Sequence, residues 1–100
     1  MLNIKRSEEN GAAAFALEGR LDTVTAVELE KAIQQTLPGV KAVTLDFEKL
    51  DYISSAGLRV LLSAQKAMNK QGTMTVVHVN ETILEIFAVT GFSDILTIEP

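Results

Sequence analysis

The polar and apolar positions of this chain fall into short runs of two different periods. Over 2–7 (LNIKRS) Leu2 and Ile4 alternate with Asn3 and Lys5, the period of a half-buried strand. EENG (8–11) is a polar turn ending in glycine, and AAAFALEG (12–19) reads as the hairpin partner strand. GRLD (19–22) breaks that pattern. TAVELEKAIQQTL (25–37) then shows helical spacing, with Ala26, Leu29, Ile33 and Leu37 on one face. Thr25 and Glu28 have the spacing of a capping box, and Pro38-Gly39 stops the helix. VKAVTLDF (40–47) is short and rich in β-branched residues, as expected of a buried strand, and EKLDYIS (48–54) reads as a loop.

The second half repeats the alternation. SAGLRVLLSAQKAMNKQG (55–72) predicts a helix whose inner face is Leu58, Leu61, Leu62, Gln65 and Met68. TMTVVHV (73–79) predicts a strand that carries His78 on the face opposite Val77 and Val79. NETILEIFAVTG (80–91) predicts a helix with Asn80 as N-cap and Gly91 past its end, and with Ile83, Ile86, Phe87 and Thr90 as its core face. DILTIEP (94–100) closes the chain as a last strand. The order β-β-α-β-α-β-α-β implies an α/β fold. It has a mixed sheet of about five strands, with an antiparallel opening pair, parallel crossovers and three helices packed mainly on one face.

Composition narrows the chemistry. One hundred residues at 47% hydrophobic and 22% charged suit one domain, 1–100, with a real core. The net charge is −4, and no run of Lys or Arg tracks a phosphate backbone, so direct nucleic-acid binding is not expected. The absence of cysteine excludes disulfides, thiol catalysis and Cys-based zinc sites, and one histidine makes no His-rich metal site. No apolar run reaches the ~20 residues of a membrane span, and the first residues lack the core of a signal peptide. The expectation is a cytoplasmic protein with no cofactor and no resident metal. Asp22, Asp46 and Asp51 are candidates for an acidic patch at one edge, although turn chemistry and solvation explain each of them separately.

The adjacent hydroxyls Ser54 and Ser55, in DYISSAGLRVLL, pose the functional question. If the helix begins at Ala56, Ser55 is its N-cap, worth roughly 1 kcal/mol. The same place suits a phosphate, because a helix N-terminus offers unpaired N–H groups and partial positive charge. Gly57 would let a partner's backbone approach. The β-loop-α unit 43–71 is expected to gather Asp46, Ser54 and Ser55 near the carboxyl end of a strand, where open α/β sheets collect their ligands. A nucleophilic serine is not supported. A nucleophile elbow needs glycine where Ile53 stands, and nothing in the pattern aims His78 at Ser55.

Gly19-Arg20-Leu21-Asp22, Leu45-Asp46-Phe47, Tyr52-Ile53-Ser54-Ser55-Ala56-Gly57-Leu58 and Thr90-Gly91-Phe92, in this order of elements, resemble the STAS domain. The likeness covers nearly the whole chain and is greatest to the free-standing anti-sigma factor antagonists of bacteria. That resemblance implies a non-enzymatic partner switch. The unphosphorylated form would bind an anti-sigma factor that is also a serine kinase of the histidine-kinase-like ATPase type, freeing the sigma factor. Phosphorylation of Ser55 would release it, and a phosphoserine phosphatase would reset it. Asp22, Ser54, Ser55, Ala56, Gly57 and Arg59 form the implied partner-contacting set. Where the family often has aspartate before the acceptor, this chain has Ser54, which removes a charge and offers a second acceptor. STAS domains also serve as unphosphorylated structural or regulatory subunits, as in transporters, and in that role Ser55 would be a cap and a contact residue.

Overall fold

The computed structural model describes residues 2–99. The elements run β1 (Leu2–Glu9), β2 (Ala12–Leu21), α1 (Thr25–Thr36), β3 (Ala42–Ile53), α2 (Ser55–Asn69), β4 (Thr73–Val77), α3 (Glu81–Thr90), a 3₁₀ turn (Phe92–Asp94) and β5 (Thr97–Glu99). The strands lie in the order β1-β2-β3-β4-β5. β1 and β2 are antiparallel, and every later pair is parallel. The expected order, mixed sheet and opening hairpin are all present.

Alternation along the strands decides which face the helices take. Ala13, Phe15 and Leu17 of β2, Val43, Leu45 and Phe47 of β3, and Met74 and Val76 of β4 are buried on one side. Against them pack Leu29 and Ile33 of α1, Leu58, Leu61 and Met68 of α2, and Ile83 and Phe87 of α3. Phe47 and Phe87 meet with ring centroids 6.4 Å apart at an interplanar angle of 41°. Gln65 is buried with this inner face, as expected, whereas Leu62 is half-buried. Thr90 lies outside the core: it is exposed and its hydroxyl donates to the Ile86 carbonyl oxygen at 2.6 Å.

The segment 48–54 is the largest correction. It is the second half of β3, not a loop. Between Asp46 and Lys49 and again between Leu50 and Tyr52, β3 carries one residue more than its neighbour β2. These two bulges shift the buried positions to Phe47, Leu50 and Ile53, a spacing of three that hides the strand's period of two. β2 correspondingly runs on through Gly19 and Arg20 to Leu21. At the other ends, β3 starts at Ala42, α2 stops at Asn69 and the last strand shrinks to Thr97–Glu99. The expectation for Pro100 falls outside the described residues.

His78 is not a strand residue. β4 ends at Val77, and His78 takes a left-handed φ of 55°, an uncommon conformation for a residue with a side chain. Its N–H donates to the Glu99 carbonyl oxygen at 2.9 Å, tying the turn to β5. Its ring Nδ1 lies 3.0 Å from Asp46 Oδ1. The Asp46 hydrogen bond raises the His78 pKa from its ordinary value. Asp46 is held below the usual carboxylate range, first by the Glu48 backbone N–H and then by His78. A raised histidine stabilises the fold fully below its unfolded pKa of about 6.5 and loses that contribution as pH rises through the folded value. A lowered aspartate does the reverse at the acid end, so the pair contributes most between about pH 4 and 6.5. His78→Asn keeps a side chain that tolerates positive φ. Thermal melts should show parent and variant further apart at about pH 5.5 than at about pH 8.5. A gap that is constant across that range would remove the ion pair from the account.

Candidate functional site

The site lies where β2 and β3 end together. Leu21 pairs with Ile53 as the last rung, and the Ser54 N–H donates to the Leu21 carbonyl oxygen at 2.8 Å. Asp22 and Ser54 are therefore the residues that leave the sheet side by side. Each opens a helix, and each does so by a different cap from the one the sequence suggests.

At α1 the expected Thr25–Glu28 box is displaced by three residues. Asp22 Oδ1 accepts from the N–H groups of Val24 and Thr25, both at 3.0 Å, and Thr25 Oγ1 accepts from the Asp22 N–H at 2.8 Å. This is the reciprocal pattern of a capping box with Asp22 in the capping role. The Thr25 hydroxyl donates to the Arg20 carbonyl oxygen at 2.8 Å, which pins the helix start to the strand behind it. The Thr25 backbone N–H, as the largest cause, lowers the Asp22 pKa, so the carboxylate is ionised at neutral pH.

At α2 the cap is Ser54, not Ser55. Ser54 is extended, with φ −98° and ψ 176°, and its Oγ accepts from the Gly57 N–H at 3.4 Å. The reason is the extra length of β3: the strand reaches Ile53, so the first residue free to cap is Ser54. Ser55 is the first helical residue, exposed, and its hydroxyl makes no hydrogen bond among the described residues. The two hydroxyls are thus differentiated. One is half-buried and engaged; the other is free at a helix N-terminus.

The rest of the expected contact set divides. Ala56 is half-buried and Arg59 exposed, one turn beyond Ser55. Gly57 faces inward. A Cβ there would lie 2.8 Å from Ile53 Cγ1 and 2.8 Å from Leu21 Cγ. Its missing side chain lets α2 lie against the sheet. Asp46 is not part of the site. It stands eight residues before Ser54 along an extended strand, roughly 20–25 Å away. Nor do Asp22, Asp46 and Asp51 cluster, and among the described residues no group of three acidic or histidine side chains is placed to hold a metal.

Three features near the ends of β2 and β3 and the start of α1 were not singled out in the sequence. Val24 is 76% exposed and Val27 50% exposed, side by side at the start of α1. Arg20 stacks over the Tyr52 ring, 4.4 Å from its centroid, on the rung before Leu21 and Ile53. The signal for the valines was present: both lie off the stripe of Ala26, Leu29, Ile33 and Leu37. Leu21 and Ile53 point toward the helices, so Arg20 and Tyr52, one residue earlier, lie on the opposite face of the sheet.

The chain is thus a small α/β domain with an open sheet, its helices on one face and an exposed serine at the start of α2. The STAS domain model matches residues 3–100, and the chain belongs to that family. A protein of Bordetella bronchiseptica bearing the name anti-sigma factor antagonist BtrV is 34% identical over 91 residues, covering 89% of this chain and 78% of its own. Among solved structures, an anti-sigma factor antagonist from Mycobacterium paratuberculosis superposes with a TM-score of 0.90 at 22% identity, over 100% of this chain and 86% of that one. The Bacillus cell fate determinant SpoIIAA, solved in its phosphorylated form, superposes with a TM-score of 0.77 at 16% identity, over 98% of this chain and 92% of its own. At these identities the two structures establish the fold. Among the described residues no helix is long and apolar enough to cross a membrane.

Proposed function

We propose that this chain is an anti-sigma factor antagonist working as a phosphorylation-controlled partner switch. The unphosphorylated form binds an anti-sigma factor that is also a serine kinase and so frees a sigma factor. Phosphate on Ser55 ends that binding, and a phosphoserine phosphatase restores it. The role is that of a binding protein rather than an enzyme, acting in the cytoplasm.

The carrying observation is the division of labour between the two serines. Ser54 is half-buried and spends its hydroxyl on the Gly57 N–H, whereas Ser55 presents a free hydroxyl at the N-terminus of α2. A phosphate there meets N–H donors rather than carbonyls, so the domain tolerates it. The partner does not. Ser55 follows Ser54, which leaves the sheet beside Asp22, so closing a protein surface over this end of the sheet buries up to two new negative charges on the same side as an existing carboxylate. A penalty of about 3 kcal/mol already weakens binding more than a hundredfold. The name of the Bordetella relative and the phosphorylated Bacillus structure support this reading.

The test is phosphate incorporation from ATP in the presence of the cognate kinase, followed by intact mass. One phosphate is expected on the parent and on Ser54→Ala, and none on Ser55→Ala. Label that is retained in Ser55→Ala and lost in Ser54→Ala would move the acceptor to Ser54. The absence of label from all three would defeat the switch.

A further inference from the structure

β3 runs on beyond one of its neighbours. Its pairing with β4 ends at Asp46 and Val77, whereas its pairing with β2 continues to Ile53 and Leu21. Within the sheet, residues 47–53 therefore pair with β2 alone. Both bulges lie in this overhang, and a bulged strand with one neighbour has little in the sheet itself to decide which residue is the extra one. The turn after β4 stands where the missing strand would continue. His78 Nδ1 lies 3.0 Å from Asp46 Oδ1, at the last rung that β3 and β4 share. Asn80 Nδ2 donates to the Leu50 carbonyl oxygen at 3.0 Å, and Leu50 is the last paired residue before the second bulge.

The Asn80 amide is used at both ends. Its Oδ1 accepts from the Ile83 N–H at 2.9 Å as the cap of α3, and its Nδ2 reaches back to β3. One partner is an N–H and the other a carbonyl, so the amide fits in one orientation only. Aspartate would cap the helix but has no proton to donate, and serine caps through one short hydroxyl that cannot serve both partners. We infer that Asn80 is a positioning residue for the serine pair: by holding the Leu50 carbonyl it keeps Asp51 as the extra residue of the second bulge, and so keeps Ser54 as the cap and Ser55 free.

The rungs between Leu50 and Ser54 carry the effect. With Asp51 left out, Tyr52 pairs with Arg20 and Ile53 with Leu21, and the Ser54 N–H meets the Leu21 carbonyl oxygen at 2.8 Å. Were Asp51 to enter the ladder, Tyr52 would oppose Leu21 and the inward and outward positions would exchange, since a slip of one residue turns every side chain over. The burial of Ile53 opposes a full slip. What Asn80 suppresses is the partial form, an opening of the rungs at Tyr52 and Ile53 in which Ser54 leaves the Gly57 N–H and Ser55 loses its fixed place. The consequence for phosphate uptake rests on Ser55 being the acceptor, whereas the restraint on the bulge does not.

Amide hydrogen exchange of the purified protein tests the restraint. Asn80→Asp and Asn80→Ser both keep an acceptor for the Ile83 N–H and lose the bond to Leu50. Exchange of the Ser54 and Gly57 amides should quicken about three- to tenfold in each, the effect of losing one ordinary hydrogen bond. Gly91→Ala is the control. It strains a left-handed position, φ 83°, at the other end of α3, and a Cβ there meets nothing within 4 Å, so it lowers stability without touching β3. In that variant the two amides should exchange as in the parent. Phosphate incorporation from ATP by the cognate kinase should slow by a similar factor in both Asn80 variants and not in Gly91→Ala, with every protein held well below its melting temperature. Three results would each overturn the inference: unchanged exchange in the Asn80 variants, equal quickening in Gly91→Ala, or quickened exchange with phosphate incorporated at the parent's rate. A parent that accepts no phosphate defeats the switch instead, and exchange alone then decides the restraint.

Discussion

Phe47→Ala is expected to lower the unfolding free energy by about 3–5 kcal/mol, the usual range for truncating a fully buried phenylalanine. Phe47 has no exposed surface, sits on the central strand and rests against Phe87 of α3. It also lies within the first bulge, between Asp46 and Lys49, so the ring fills the space where the strand changes register. The surroundings on both sides are fixed: β2 is hydrogen-bonded through the bulge and α3 is held at its start by the Asn80 cap. Little collapse into the cavity is available, which places the expected loss high in the range. For a domain of this length each kcal/mol moves the melting temperature by about 4–8 °C, so the midpoint falls by at least about 12 °C. Urea unfolding measures the same quantity. A loss below about 1.5 kcal/mol would mean that the bulge relaxes to fill the gap. Phe47→Leu, which keeps most of the volume, should cost clearly less.

The same bulges explain what could be read from the sequence and what could not. Where a segment kept one period, its type was legible: the alternation of Leu2 and Ile4, the helical stripe of Leu29 and Ile33, and the capping residues Asn80 and Gly91 all appear as read. Where tertiary pairing inserted residues into β3, Leu50 and Ile53 fell three residues apart, off the strand's period of two, and the second half of that strand looked like a loop. That local misreading propagated. Shortening the strand put the helix start one residue late and gave Ser55 the cap that belongs to Ser54. It also drew Asp46 toward a strand end it does not occupy. His78 was hidden for a different reason, since a positive φ leaves no trace in hydrophobic pattern. The composition of the site was legible in DYISSAGLRVLL, but its division of roles was not, because only the length of β3 decides which serine is free.

Gly57→Val is expected to damage the site through the fold. A Cβ at residue 57 would sit 2.8 Å from Ile53 Cγ1 and 2.8 Å from Leu21 Cγ, closer than such atoms approach. Neither neighbour is the loose end of a long side chain: Leu21 has no exposed surface and Ile53 is 2% exposed. In Gly57→Ala two effects oppose one another. Alanine favours the helix by about 1 kcal/mol over glycine, while overpacking costs about 1–3 kcal/mol, so the net change is a modest loss. Valine adds two further methyl groups at the same contact and, being β-branched, gives back part of the helix advantage. The loss should then reach about 3 kcal/mol or more. The strain is relieved by lifting the N-terminus of α2 away from the last rung of β2 and β3. That motion breaks the 3.4 Å contact from the Gly57 N–H to Ser54 Oγ and moves Ser55 relative to Asp22. Phosphate acceptance by folded Gly57→Val should therefore fall well below that of Phe47→Ala, even when both are compared at temperatures where each is fully folded. Equal acceptance in the two variants would show that the position of α2 against the sheet does not control the site.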